Sequence, residues 1–247
     1  MSRLSLLAAL LASGVAVAED PPKGEKKPKY DVRRPTAPGG VGKFYLGREI
    51  AFVMGHQGAG WLERPEREKE EAPAKLLNAL KLKEGMTVAD IGAGTGYHVF
   101  RMAKTVGDKG KILAVDIQQE MLDLMAARVK KDGVKNVELI LGSDKDPKLP
   151  AGRVDLIQMV DVYHEFDFPY EMAEKMVAAL KPGGRLVFVE FRLEDPKVPI
   201  LLAHKMSERQ VMKEMAEFKE LEHKETIKTL PWQHVIIFEK ATAEKKK

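Results

Sequence analysis

The sequence predicts an α/β fold: a mostly parallel sheet with helices on both faces, closed by an antiparallel hairpin at the C-terminal end. Three observations carry this. Short, continuous apolar runs of strand length recur through the middle of the chain. Each of the first ones is followed by a stretch with helical spacing, the alternation that builds parallel sheets buried on both sides. The last two strand-like runs are joined by too few residues for a crossover, which forces them to pair antiparallel.

The elements follow in order. "MSRLSLLAALLASGVAVAED" has a charged start, a short apolar run and small residues before a cleavage point after Ala18, the pattern of an export signal over 1–18. The apolar run is short for a membrane span. Export to the periplasm or outside is therefore expected, with a membrane tether or a cytoplasmic location as the alternatives. Residues 19–40, rich in Pro, Gly and charge, are expected to be a disordered linker. Residues 41–84 are expected to form a helical lid, with Pro65 and Pro73 at first helical turns.

The main domain is placed at 85–240. "MTVADIG" (86–92) is a strand, "YHVFRMAKTV" (97–106) a helix, "KILAVDI" (111–117) a strand and "QEMLDLMAARVKKDG" (119–133) a helix. "NVELILG" (136–142) and "VDLIQMVDV" (154–162) are strands; "PYEMAEKMVAAL" (169–180) is a helix and "GRLVFVEF" (184–191) a strand. A helix over 207–218 precedes the final hairpin, and a basic tail occupies 241–247.

The chain has 247 residues and a net charge of +4, much of the excess lying in "PPKGEKKPK" (21–29) and "EKKK" (244–247). No basic stripe interleaved with aromatics runs through the body, so nucleic acid is not an expected partner. Membrane contact is expected only through the N-terminus. There is no cysteine, hence no disulfide and no lipid-attachment thiol; a domain of this size buries enough core without them. Nothing in the sequence sets the oligomeric state.

Function is read from "VADIGAGTGYHVF" (88–100). Ligands of open α/β sheets bind at the carboxyl ends of strands, where this loop lies. A dinucleotide fingerprint G-x-G-x-x-G would need glycine at 97, which is Tyr97, and a phosphate loop would need Gly-Lys-Ser/Thr. The spacing is Gly92-x-Gly94-x-Gly96, with an acid, Asp90, before it. Asp90 would repel a pyrophosphate but can accept from an ammonium group or from ordered water. Asp116, at the end of the second strand, can accept from both hydroxyls of a ribose. An amino acid at the first strand and a ribose at the second describe S-adenosylmethionine (SAM).

At this point the chain resembles the class I SAM-dependent methyltransferases, with a Rossmann-like, seven-stranded sheet whose C-terminal strand is antiparallel. The closest subgroup is the one that includes ubiquinone/menaquinone C-methyltransferases. The resemblance rests on "VADIGAGTGYHVF", "ILAVDIQQEML", "VELILGSDKD", "VDLIQMVDVYHEF" and "LKPGGRLVFVEF", in the expected order. It implies that Asp90, Gly92, Ala93, Gly94 and Gly96 surround the methionine end. It implies that Asp116 binds the ribose, that Ile117 packs on the adenine, that Ser143 and Asp144 lie by the adenine amino group, and that Asp161 and Val162 sit beneath the sulfonium.

Methyl transfer is an in-line displacement, so alignment and water exclusion dominate. A general base is needed only where the nucleophile must lose a proton. His164 and Glu165, just past the fourth strand, are the candidate catalytic residues. Their place suits the acceptor, and an imidazole takes a proton near neutral pH. Asp161, His164 and Glu165 adjoin one another, but neighbours in one loop seldom complete a coordination set, so no metal site is expected. The mobile-looking "MGHQGAG" within 43–68 is expected to close over the cofactor. A small-molecule methyl acceptor is expected; a SAM-binding regulator or scaffold without transfer activity is the alternative.

Overall fold

The computed structural model describes residues 30–242. The segment expected to be an export signal, the first part of the expected linker and the tail from 243 lie outside the described residues. The N-terminal region departs from the expected helical lid. Tyr30–Val32 (β1), Gly40–Tyr45 (β2) and Arg48–Ala51 (β3) form a small antiparallel sheet of their own. The reason is a two-residue turn, Leu46-Gly47, with both residues at positive φ (47° and 93°), the geometry that closes a hairpin. Residues 33–40 are not free either. The Glu49 carboxylate accepts the N–H groups of Thr36, Ala37 and Gly42, each at 2.9 Å. Only after the hairpin does the segment turn helical, in short pieces: Ala59–Leu62 (α1), Arg67–Glu71 (α2) and Pro73–Ala79 (α3, with proline at its start).

The main sheet is the expected one. Its strands in chain order are Thr87–Ile91 (β4), Lys111–Asp116 (β5), Val137–Leu141 (β6), Val154–Val160 (β7), Leu180–Phe191 (β8), Leu221–Ile227 (β9) and Gln233–Lys240 (β10). Their spatial order is β6-β5-β4-β7-β8-β10-β9. The first five pair parallel, and β10 is antiparallel to both its neighbours. Helices Val99–Val106 (α4), Gln119–Asp132 (α5), Pro169–Ala179 (α6) and Glu208–Met215 (α7) cover it.

Alternation along each strand feeds two cores. Ala89, Leu113, Ile157 and Phe188 face Met172 and Met176 of α6 and Val211 and Met215 of α7. Val88, Ile112, Leu156 and Val187 face Leu76 of α3, Met102 of α4 and Met125 of α5. This explains why the strands are apolar without a polar face. Strand β8 begins four residues earlier than expected, because residues 180–183 join it through a register shift against β7.

The chain runs from β4 outward to β5 and β6, then crosses back to β7 on the other side of β4. That reversal opens a crevice at the carboxyl ends of β4 and β7, the place where such sheets bind ligands.

Candidate functional site

A cavity of about 490 Å³ occupies this crevice, within the range of small-ligand sites. One half is built by the ends of β4, β5 and β6. Gly92, Gly94, Asp116, Ile117, Ser143 and Asp144 all line it. Ile117 is 49% exposed, an apolar side chain next to the Asp116 carboxylate on the cavity wall. Asp116 is buried, its Oδ2 accepting the Gly94 N–H at 2.8 Å and its Oδ1 the Gln118 N–H at 2.9 Å. Burial lifts its pKa above the ordinary carboxylate range, against the pull of these backbone bonds.

Three of the expected cofactor residues, Asp90, Ala93 and Gly96, do not line the cavity but lie behind its wall. Ala93 is buried and its carbonyl accepts the Gly96 N–H at 2.9 Å, closing the glycine turn. Asp90 is buried under the loop, where its Oδ1 accepts from Gln158 Nε2 at 3.0 Å. Burial raises the Asp90 pKa to about 7; the Gln158 bond and the Arg67 charge pull it back only partly. Two further polar groups, Arg67 and Asp161, stand on the cavity wall. Arg67, from α2, is buried with its Nε 2.6 Å from Glu71 Oε2 and a terminal nitrogen donating to the Leu62 carbonyl at 3.0 Å. Asp161, at φ +51°, accepts from Gln233 Nε2 through Oδ2, while its Oδ1 is buried with no partner among the described residues. Burial, reinforced by Glu71 and Glu190, holds Asp161 well above the usual carboxylate range. The same cavity wall therefore carries an orphaned acceptor on Asp161, the Arg67 guanidinium and the Asp116 carboxylate.

The other half of the cavity begins at the end of β7. His164 and Glu165 sit in a 3-10 turn, Tyr163–Glu165, and both line the cavity. His164 is 1% exposed, with Nδ1 2.5 Å from Glu190 Oε2 and Nε2 3.2 Å from His204 Nδ1. Glu165 Oε1 lies 3.5 Å from His204 Nδ1 and accepts the Met54 N–H at 3.3 Å. Burial lifts Glu165 to about 7, against the opposing influence of His164, and burial lowers His204 to about 4. Asp161 is turned away toward Gln233, so the cluster that forms is His164, Glu165 and His204, not Asp161, His164 and Glu165.

The expected closing segment does cross the cavity mouth, as an extended stretch and short turns. Gln118 clasps it twice: its Oε1 accepts the His56 N–H at 2.8 Å and its Nε2 donates to the Met54 carbonyl at 2.9 Å. Glu63, further on, accepts from Thr95 Oγ1 of the glycine loop at 2.5 Å. Arg67, Gln118, Glu190 and His204 were missed by sequence reasoning. Each is brought to the site by tertiary packing; Gln118 and Glu190 lie inside the motifs "ILAVDIQQEML" and "LKPGGRLVFVEF", but nothing local in either marks the residue as facing the cavity.

The family model described as "Methyltransferase domain" matches residues 82–244. The chain belongs to the methyltransferase-domain family. Among solved structures, a SAM dependent methyltransferase from Aquifex aeolicus is 28% identical with a TM-score of 0.72, covering 76% of this chain and 100% of its own. The demethylmenaquinone methyltransferase of Lactococcus lactis is 27% identical over 127 residues, 51% of this chain and 50% of that protein. The protein-L-isoaspartate O-methyltransferase of Methanothrix thermoacetophila is 30% identical over 117 residues, 46% of this chain and 51% of that protein. The chain spans about half the length of the curated relatives it matches.

Proposed function

We propose that this methyltransferase-family chain transfers the methyl group of SAM to a small, largely apolar molecule that carries one nucleophilic polar atom. The observation that carries the reading is that a single cavity joins two unlike halves. One half presents Asp116, Ile117, Arg67 and the unpartnered oxygen of Asp161 along the sheet end. The other presents His164, Glu165 and His204 under an apolar rim of Phe52, Val53, Trp61 and Leu201, side chains 40–48% exposed at the mouth. Exposed apolar groups gathered at a cavity mouth mark a binding surface. The named acceptors of the two curated relatives, a demethylmenaquinone and a protein isoaspartate, differ in kind, so the acceptor class is taken from this chain's own rim.

When bound, SAM supplies an electrophilic methyl on a positively charged sulfur. Gly92 and Gly94 hold the cofactor side by close backbone approach, Asp116 takes its ribose, and Arg67 and Asp161 orient its amino-acid end. The segment clasped by Gln118 shuts out water, which favours in-line alignment of nucleophile and methyl. The acceptor's polar atom meets the His164–Glu165–His204 cluster, where it is activated. In the test, the protein is incubated with methyl-labelled SAM and a small-molecule extract, and labelled products are separated by size and polarity. A labelled apolar small product supports the reading. S-adenosylmethionine binding without any turnover favours a regulator, and label in macromolecules alone contradicts the acceptor class.

A further inference from the structure

We infer that His164, Glu165 and His204 form a binding site for one divalent transition-series cation, zinc being the ion they fit best, at the acceptor end of the cavity. The inference rests on the reading of this cavity as the methyl-transfer site and names what activates the acceptor there.

Geometry carries it. The three donors come from two separate turns, Tyr163–Glu165 and Leu202–His204, and converge on one point. Their mutual distances are 3.2 Å (His164 Nε2 to His204 Nδ1), 3.5 Å (His204 Nδ1 to Glu165 Oε1) and 4.0 Å (His164 Nε2 to Glu165 Oε1). Zinc bonds of about 2.0–2.2 Å in a tetrahedron separate neighbouring donors by roughly 3.4 Å. Two imidazoles and one carboxylate suit zinc and its first-row neighbours; magnesium and calcium prefer all-oxygen sets.

The surroundings are those of a metal-binding histidine. A ligating imidazole usually donates its other N–H to a carboxylate, which fixes the tautomer and aims the lone pair. Glu190 does this for His164: both side chains are almost completely buried, Glu190 Oε2 stands 2.5 Å from Nδ1, and Glu190 Oε1 is itself held by the Tyr163 N–H at 3.1 Å. The turn is pinned from behind by Arg48, which donates to the His164 carbonyl at 3.1 Å while paired with Glu214. The Met54 N–H aims Glu165 Oε1. His204 has no such support, because its Nε2 is buried without a partner among the described residues. All three residues face the cavity, so the protein supplies three ligands and leaves a position toward the acceptor, the arrangement of reactive and not of closed structural sites.

Without a cation, the same distances describe a chain of hydrogen bonds from His204 to His164 to Glu190, and binding measurements separate the two. Untagged full-length protein, treated with chelator and dialysed, is titrated with zinc chloride against a chromophoric chelator; SAM is titrated separately by calorimetry. We expect one zinc per chain, tighter than roughly 1 μM. Glu190→Gln is expected to weaken zinc binding roughly tenfold to a hundredfold. His204→Gln and Glu165→Gln should each weaken it by at least as much, with melting temperatures checked for each. Protein that binds SAM but takes up no zinc, or whose zinc affinity is unchanged in His204→Gln and Glu165→Gln, overturns the metal site and leaves the cofactor reading intact. Zinc binding of the expected kind without SAM binding upholds the metal site and contradicts the cofactor reading.

Discussion

The carboxylate of Asp116 accepts the Gly94 N–H at 2.8 Å, tying the end of β5 to the glycine loop that follows β4. One side chain therefore both shapes the loop and faces the cavity. Asp116→Ala is expected to lower SAM affinity at least tenfold, since hydrogen bonds to a charged group contribute about 1.5–3 kcal/mol each. It should also lower the melting temperature, because the Gly94 N–H loses its acceptor at a cost of about 1–3 kcal/mol. Asp116→Asn keeps an oxygen and should regain stability more than affinity. Calorimetry and melting of the two variants check this.

The loop also depends on Gly92. Its φ is +70°, and a Cβ there would lie 2.4 Å from Val162 Cγ2, at the end of β7. Gly92→Ala should therefore push the two sides of the crevice apart, weakening SAM binding and stability together. A variant that melts and binds as the wild type contradicts this packing.

A buried ion pair locks the N-terminal hairpin to the main domain. Arg48 Nε lies 2.8 Å from Glu214 Oε1, and both side chains are buried. Arg48→Met should destabilise by roughly 3–5 kcal/mol, because the buried Glu214 keeps the neutral Gln210 donor but loses its charge partner. The double variant Arg48→Met with Glu214→Leu should recover most of that loss. Thermal melts of the two single variants and the double variant test the coupling; strict additivity contradicts it.

How far the sequence shows all this depends on the range of the forces involved. The sheet from Met86 to Phe191 is legible because buried parallel strands are apolar throughout and the glycine loop is local. The hairpin is not, because the apolar residues of "KFYLGREIAFV" fit a helical face as well as a pair of strands. What decides is Leu46-Gly47, both at positive φ, and only Gly47 signals that turn in advance. His164 and Glu165 are visible through their place after a strand. Glu190 and His204 reach His164 from 26 and 40 residues further on, and only the pairing of β7 with β8 and the return of the 202–204 turn bring them in. Asp90 illustrates the same limit: its acid type is legible, but its burial against Gln158 is set by the β4–β7 register.

That burial has a pH consequence. Asp90 titrates at about 7 in the folded protein and from 3.8 in its ordinary state. Between those values the folded protein keeps a proton that the unfolded chain has lost, so stability from this residue falls as pH rises from about 4 to 7 and is level above. Asp90→Asn removes the titration and retains an acceptor for Gln158. Its melting temperature should match the wild type near pH 4 and exceed it at pH 8. Parallel pH profiles for the two proteins would contradict the raised pKa.

The central claim, that the crevice is a SAM site, is tested most directly by calorimetric titration of the full-length protein with SAM and, separately, with NAD. The expected result is one SAM per chain, no measurable NAD binding, and loss of the SAM signal in Asp116→Ala. Binding of NAD in preference to SAM, or SAM binding that Asp116→Ala leaves unchanged, would contradict it.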